Sequence, residues 1–406
     1  MDIKKTLFVV TPVSAAIVGV FFLMPSKNVY ESQSVRVVES ESSQEASLVN
    51  ALSTSSNQII EEVVPEKVIV KEFPVTHVKT PEEVKAIYMS SWVAGTPSFR
   101  EKLVKIMDET EINSVIIDIK DYTGKVSFLI DEKPFNEINS SEKRISDIKE
   151  FIGRLHDKNI YVIGRISTFQ DPHLVSVWPE EAVKKGSDKT LPWKDHKGIS
   201  WIDAGSEKVW KYSVDLAKIS YEYGFDEINF DYIRFPSDGN MKDIYFPYSE
   251  GKVKHEVLKS FFEYLKENLG SSEMKISADI FGMTTTNTDD LGIGQILEDA
   301  LLNFDYVAPM VYPSHFPNNW AGMAKPAEKP YDVIHRSMGS AVKRAEALGV
   351  DINKLRPWLQ DFDLGANYTK EMVLAQIDAT YDVGLNSWML WDPKNIYTKE
   401  ALKLNE

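Results

Sequence analysis

Carboxylates, amides and aromatic rings gather at the ends of short apolar runs in this chain. One run ends Asp118-Ile119-Lys120-Asp121, the next carries Arg165 and leads into Phe169-Gln170-Asp171, and a third ends Asn229-Phe230-Asp231-Tyr232-Ile233-Arg234. Further along come Asp279-Ile280-Phe281, Tyr312-Pro313-Ser314-His315, Gln360-Asp361 and Trp391-Asp392. Two carboxyl groups can cleave a glycosidic bond, one as acid and one as nucleophile or base. Amides and further carboxylates hold hydroxyls, and aromatic faces stack on sugar rings. Asp231 and Asp279 are therefore the candidate catalytic carboxylates. Asp118, Lys120, Arg165, Arg234, Tyr312, His315, Gln360, Trp391 and Asp392 are the candidate substrate-binding residues. Plainer roles compete with these. Asp231 could cap a turn or pair with Arg234, Asp279 could hold Asp231 or Arg165, and Asp118 with Lys120 could be a structural ion pair.

Several other chemistries lack their residues. The 406 residues contain no cysteine, which removes thiolate metal sites, cysteine nucleophiles and disulfides. The 7 histidines show no paired ligand spacing, no carboxylate group has the spacing of a calcium loop, and no G-x-S-x-G is present. Neither a metal nor another cofactor is expected. A net charge of −15 disfavours a phosphate backbone as partner, so nucleic acid is not expected either.

Positioning these groups requires a scaffold in which strand ends converge. Strand-like runs span 86–89, 114–120, 160–166, 226–233, 275–281, 306–312, 355–360 and 385–391. Between them lie helical patterns at 99–108, 145–157, 207–223, 253–269, 331–348 and 370–381. Strand and helix in regular alternation predict an α/β fold of (β/α)8 type, a TIM barrel over residues 81–406 with its chemistry at the C-terminal strand ends. A doubly wound open sheet is the alternative. It needs a glycine-rich phosphate loop near the first strand, and Gly292-Ile293-Gly294 is the only near match.

The N-terminus has a different texture. The uncharged run Thr6–Met24 follows Lys4-Lys5 and is roughly 28 Å long as a helix, near a bilayer core of about 30 Å. It predicts an N-terminal transmembrane helix (1–25), a membrane partner, a cytoplasmic N-terminus and an extracytoplasmic body. A cleaved signal peptide would export the body as well, but Phe21-Phe22-Leu23-Met24-Pro25 makes a poor cleavage site. Residues 26–80 are rich in Ser and Glu and poor in aromatics, which predicts a disordered acidic stalk.

Six stretches of the body stand out together, Val115 to Asp121, Gly224 to Pro236, Ser277 to Gly282, Val307 to Pro313, Trp358 to Gln360 and Trp388 to Trp391. Through them the body resembles the putative glycosyl hydrolase domain family of exported bacterial proteins. The resemblance implies a barrel glycosidase acting on polysaccharide or oligosaccharide. The fourth strand is also similar in outline to the chitinase pattern D-x-x-D-x-D-x-E, with Asp226, Asn229, Asp231 and Ile233 at the matching positions. Isoleucine cannot donate a proton, so the substrate-assisted mechanism does not carry over. Strand alternation places Glu227, Asn229 and Asp231 on one face.

Two functions follow, a membrane-tethered glycoside hydrolase or a catalytically inactive carbohydrate-binding barrel serving as an envelope scaffold. For the enzyme, tips of adjacent strands set Asp231 and Asp279 near the roughly 5–5.5 Å separation of retaining glycosidases, with Asp231 as nucleophile. A proton shared by that pair predicts a bell-shaped pH profile. The segment 171–204, with Trp178, Trp193, Trp201 and five lysines, is expected to cover the mouth and offer stacking faces and cations.

Overall fold

The structure is a computed structural model that describes residues 74–270 and 273–405. Eight parallel strands close into a barrel in chain order. They are β1 (Lys85–Met89), β2 (Ser114–Lys120), β3 (Tyr161–Ser167), β4 (Glu227–Asp231), β5 (Lys275–Phe281), β6 (Tyr306–Met310), β7 (Trp358–Gln360) and β8 (Trp388–Trp391). Helices α1 (Ser91–Ala94), α2 (Pro97–Glu109), α3 (Ile148–His156), α4 (Pro172–Val177) and α5 (Glu207–Glu222) belong to the first half. The second half adds α6 (Lys254–Leu269), α7 (Leu297–Asn303), α8 (Pro330–Ala347) and α9 (Lys370–Asp382). The closed sheet rules out the open doubly wound alternative. The expected membrane segment and nearly all of the expected stalk lie outside the described residues. Among the described residues, no helix is long and apolar enough to cross a membrane.

Alternation along each strand divides the core in two. Outward residues such as Val115, Ile117, Val162, Ile228, Phe230, Ile276 and Val307 pack under the helices. Inward residues Tyr88, Ile116, Tyr161, Ile163, Trp358 and Met389 fill the lumen. Helix α5 shows how the outer layer forms. The Ser206 side chain caps its first turn by accepting from the Val209 N–H at 3.2 Å, and Val209, Trp210, Leu216 and Ala217 face inward at helical spacing.

Residues 74–81 close the N-terminal end of the barrel. The Val78 N–H donates to Asp226 Oδ1 at 2.7 Å, and Thr80 Oγ1 donates to the Tyr161 hydroxyl at 3.1 Å. Asp226 Oδ2 also accepts from the Val162 N–H at 2.8 Å and meets His156 Nε2 at 3.0 Å. The first position of the chitinase-like pattern is therefore a fastening at the far end from the strand tips. Just above it, Glu227 meets Arg356 at 2.8 Å and Tyr161 at 3.0 Å inside the lumen.

Candidate active site

The next inward positions up the barrel carry the polar cluster. Asn229 of β4 stands beside Ser277 of β5 in register, and Asp118 of β2 beside Arg165 of β3. Arg165 is the hub. Its Nη1 donates to Asp118 Oδ1 at 2.7 Å, and its Nε and Nη2 donate to Asp231 Oδ2 at 3.0 and 2.5 Å. Asp279 Oδ2 lies 3.8 Å from the same Nε. Asp231 and Asp279 thus converge on one nitrogen.

Each carboxyl has a different environment. Asp279 Oδ1 accepts from Trp358 Nε1 at 2.8 Å and from Asn229 Nδ2 at 3.0 Å. Burial, then the charge of Asp231, pushes the Asp279 carboxyl up to about 8. It therefore holds a proton at neutral pH, and Oδ2, the oxygen that neither Trp358 nor Asn229 holds, is the one left to carry it. Asp231 acts only as acceptor, from Arg165 and from the Tyr232 N–H at 2.5 Å. Tyr232 has φ 53°, an uncommon left-handed conformation for a side chain of this size, so the chain turns sharply just past Asp231. Asp118 is raised by burial, against the Arg165 charge, and accepts from the Tyr88 hydroxyl at 2.6 Å. Burial works against the Arg165 charge, yet Asp231 and Asp118 hold it firmly protonated. Burial is the first reason for the proton on Asp279, and one guanidinium set among three carboxyls is the second.

Aromatic rings wall the cluster. Trp391 stacks on Tyr88 with centroids 4.0 Å apart and meets Trp358 edge-on at 5.4 Å. The Arg165 guanidinium lies 5.3 Å from the Trp391 ring. Tyr312 is buried, edge-on to His315 at 5.1 Å, and burial, then Asp279 and Asp231, keeps its phenol protonated. His315 is exposed on the rim. Asp231 keeps 9% side-chain exposure against 2% for Asp279, so the cluster is reached from the Asp231 side.

Other candidates lie elsewhere. The β2–β3 register shifts between Asp118 and Lys120, so the alternation that would aim both inward is broken. Lys120 is fully buried against Asp171 at 2.6 Å, beneath the Tyr212 ring, and its ion pair is with Asp171 rather than Asp118. Gln360 spends its amide on the chain, accepting from the Ser314 N–H at 3.1 Å and donating to the Phe362 carbonyl at 2.9 Å. Asp392 turns back to the Lys394 N–H at 2.6 Å. Arg234 is buried beyond the β4 tip without the carboxylate partner that Asp231 could have been. In the 171–204 segment, Trp193 and Trp201 are buried, with their indole N–H groups on the Asn240 carbonyl and Asp195, so neither ring is a free stacking face. Tyr88, Asn229 and Ser277 belong to the cluster although none was a candidate. Asn229 carried a signal, its place two residues before Asp231 on one strand face. Its Oδ1 is buried with no hydrogen-bond partner.

A family model described as a putative glycosyl hydrolase domain matches residues 86–397, the whole barrel. The chain belongs to that family. Within this glycosyl hydrolase family, the resemblance expected from the sequence holds over the same body. A hypothetical protein from Ruminiclostridium thermocellum is similar at 34% identity, with 51% of this chain and 98% of that chain covered and a TM-score of 0.44. The glycoside hydrolase domain of PgaB (BpsB) from Bordetella bronchiseptica shares the fold at 13% identity, covering 80% of this chain and all of that one, with a TM-score of 0.58. The spore cortex-lytic enzyme SleL from Bacillus megaterium is similar at 10% identity, covering 79% and 72%, with a TM-score of 0.46. No curated protein matches the chain.

Proposed function

We propose that this chain is a membrane-tethered, extracytoplasmic glycoside hydrolase that cleaves a cell-wall or extracellular polysaccharide with Asp231 and Asp279. The observation that carries the proposal is the contrast between two carboxyls meeting at one Arg165 nitrogen. Asp279, pushed up to about 8, keeps a proton to give to the glycosidic oxygen. Asp231 is an acceptor in every contact it makes and is the more exposed of the two, as an attacking carboxylate needs to be. In the first step Asp231 attacks the anomeric carbon while Asp279 protonates the leaving oxygen. In the second, Asp279 takes a proton from water and that water releases the sugar. Arg165 steadies Asp231 before attack, and Trp391 offers a ring face beside it. The tether rests on Lys4-Lys5 and the uncharged run after them.

The stereochemistry of the first product tests the mechanism. Two carboxyls that meet at one Arg165 nitrogen favour the narrow spacing of a retaining enzyme over the wider gap that holds an inverting enzyme's water. Proton NMR during the first turnovers should show the anomeric configuration retained. An inverted first product would exclude this pairing and promote Asp118 as the partner of Asp231.

A further inference from the structure

Arg234 is 92% removed from solvent at the tip of β4, yet most of its guanidinium is unused (residual exposure 8%). Its Nη1 donates to the Phe235 carbonyl at 3.0 Å and to Ser237 Oγ at 3.3 Å. Among the described residues, these two are the hydrogen bonds of the guanidinium, no carboxylate oxygen comes within 4.0 Å of it, and Nε and Nη2 keep contact with solvent. Most other buried cations meet a carboxylate. Arg100 meets Asp147, Arg165 meets Asp118 and Asp231, Arg356 meets Glu227, and Lys120 meets Asp171, whereas Lys184, like Arg234, donates to a carbonyl. Burial pushes Arg234 down from its ordinary value, outweighing the charges of Asp238, Asp231 and Asp195, which reach it without ion-pair contact.

Aromatic rings hold it in place. Its central carbon lies 4.7 Å from the Trp201 ring, 4.8 Å from Phe281 and 5.6 Å from Tyr232. These faces offset part of the cost and lock the fork, but they satisfy none of its in-plane N–H groups. Position supplies the rest. Tyr232 directly follows Asp231, Phe281 lies two residues past Asp279, and the Asp231 charge acts on Arg234, so the fork lies past the strand tips on the Asp231 side of the pair.

We infer that Arg234 receives the carboxylate of an acidic sugar residue adjacent to the bond being cleaved, which makes the substrate an anionic polysaccharide. A planar fork with a free edge suits a bidentate carboxylate better than a hydroxyl. The selectivity comes from this buried arginine and not from the loop lysines. The inference rests on the glycosidase reading of the same site. Two sugars carry such a group, a uronic acid through its ring carboxylate and N-acetylmuramic acid through its lactyl ether.

Calorimetric titration of the full chain tests it. The probes are a glucuronate oligosaccharide and an N-acetylmuramyl oligosaccharide, each beside its carboxyl-reduced form. One acidic probe should bind about 10- to 100-fold more tightly than its reduced form, as expected for hydrogen bonds to a charged group. Which one does so identifies the source of the carboxylate. Arg234→Gln should erase that ratio, and Arg234→Lys should keep part of it, since charge survives while the fork is lost. The wild-type comparison stands even if a variant fails to fold. Equal binding of acidic and reduced probes, binding of none, or an unchanged ratio in Arg234→Gln would overturn the inference. Acid preference without hydrolysis would keep it and reject the glycosidase reading, and hydrolysis without preference would do the reverse.

Discussion

At the scale of single residues, the proton on Asp279 has a consequence separate from catalysis. The unfolded carboxyl titrates near its ordinary 3.8, while the folded one is raised to about 8. Between those values the folded chain keeps a proton that the unfolded chain releases, so stability falls with rising pH. The contribution is fully present below about pH 4 and is lost as pH climbs through the folded value. Asp279→Asn removes this dependence. Thermal melts should show the variant gaining on the wild type from about pH 4 to pH 8 and holding a constant offset above that. A pH-independent offset would mean that Asp279 titrates normally in the folded chain. The convergence of Asp118, Arg165, Asp231 and Asp279 was legible in the sequence because strand alternation and the strand-end rule need only residue order. Lys120 was not legible, since the register shift in β2 turns it outward. Gln360 was not either, because nothing in its spacing tells that loop carbonyls and N–H groups consume its amide.

At the scale of elements, precision at the site depends on how β4, β5 and β6 are held. Gln295 ties two of them, accepting from the Phe281 N–H at 2.9 Å and donating to the Ile233 carbonyl at 3.2 Å. Gly282, just past β5, lets β6 come close, and a Cβ there would lie 2.4 Å from the Met310 carbonyl oxygen. Backbone cannot yield as a flexible side chain would. Gly282→Ala should cost about 2 kcal/mol or more in urea unfolding and lower activity by displacing the strand that carries Asp279. Unchanged stability would show that the contact relaxes freely. Element bounds follow local chemistry. The apolar runs at β2 and β5 match their strands, but β7 begins at Trp358 because Pro357 brings no N–H to the ladder. Helix α7 spans only 7 residues, too few for a helical period to stand out.

At the scale of the whole molecule, the barrel needs the segment that precedes its first strand. The Val78 N–H and His77 both reach Asp226, which burial pushes up but His156, His77 and the Val162 N–H together hold below its ordinary value. A chain beginning at residue 82 should therefore be less stable than one beginning at residue 74 by roughly 1–3 kcal/mol, the scale for a buried acceptor that loses a donor. Equal urea midpoints would mean that this closure contributes nothing. The full chain should fractionate with membranes and resist carbonate extraction, while the chain beginning at residue 74 stays in the supernatant. A full chain released by carbonate would contradict the tether. The most direct test of the carboxyl pair is the initial rate of reducing-end release from the best-cleaved acidic polysaccharide by wild type, Asp231→Asn and Asp279→Asn, each confirmed folded. Each substitution should lower kcat by about 100-fold or more. Turnover within a few-fold of wild type in either variant would contradict the assignment of Asp231 and Asp279 as the catalytic pair.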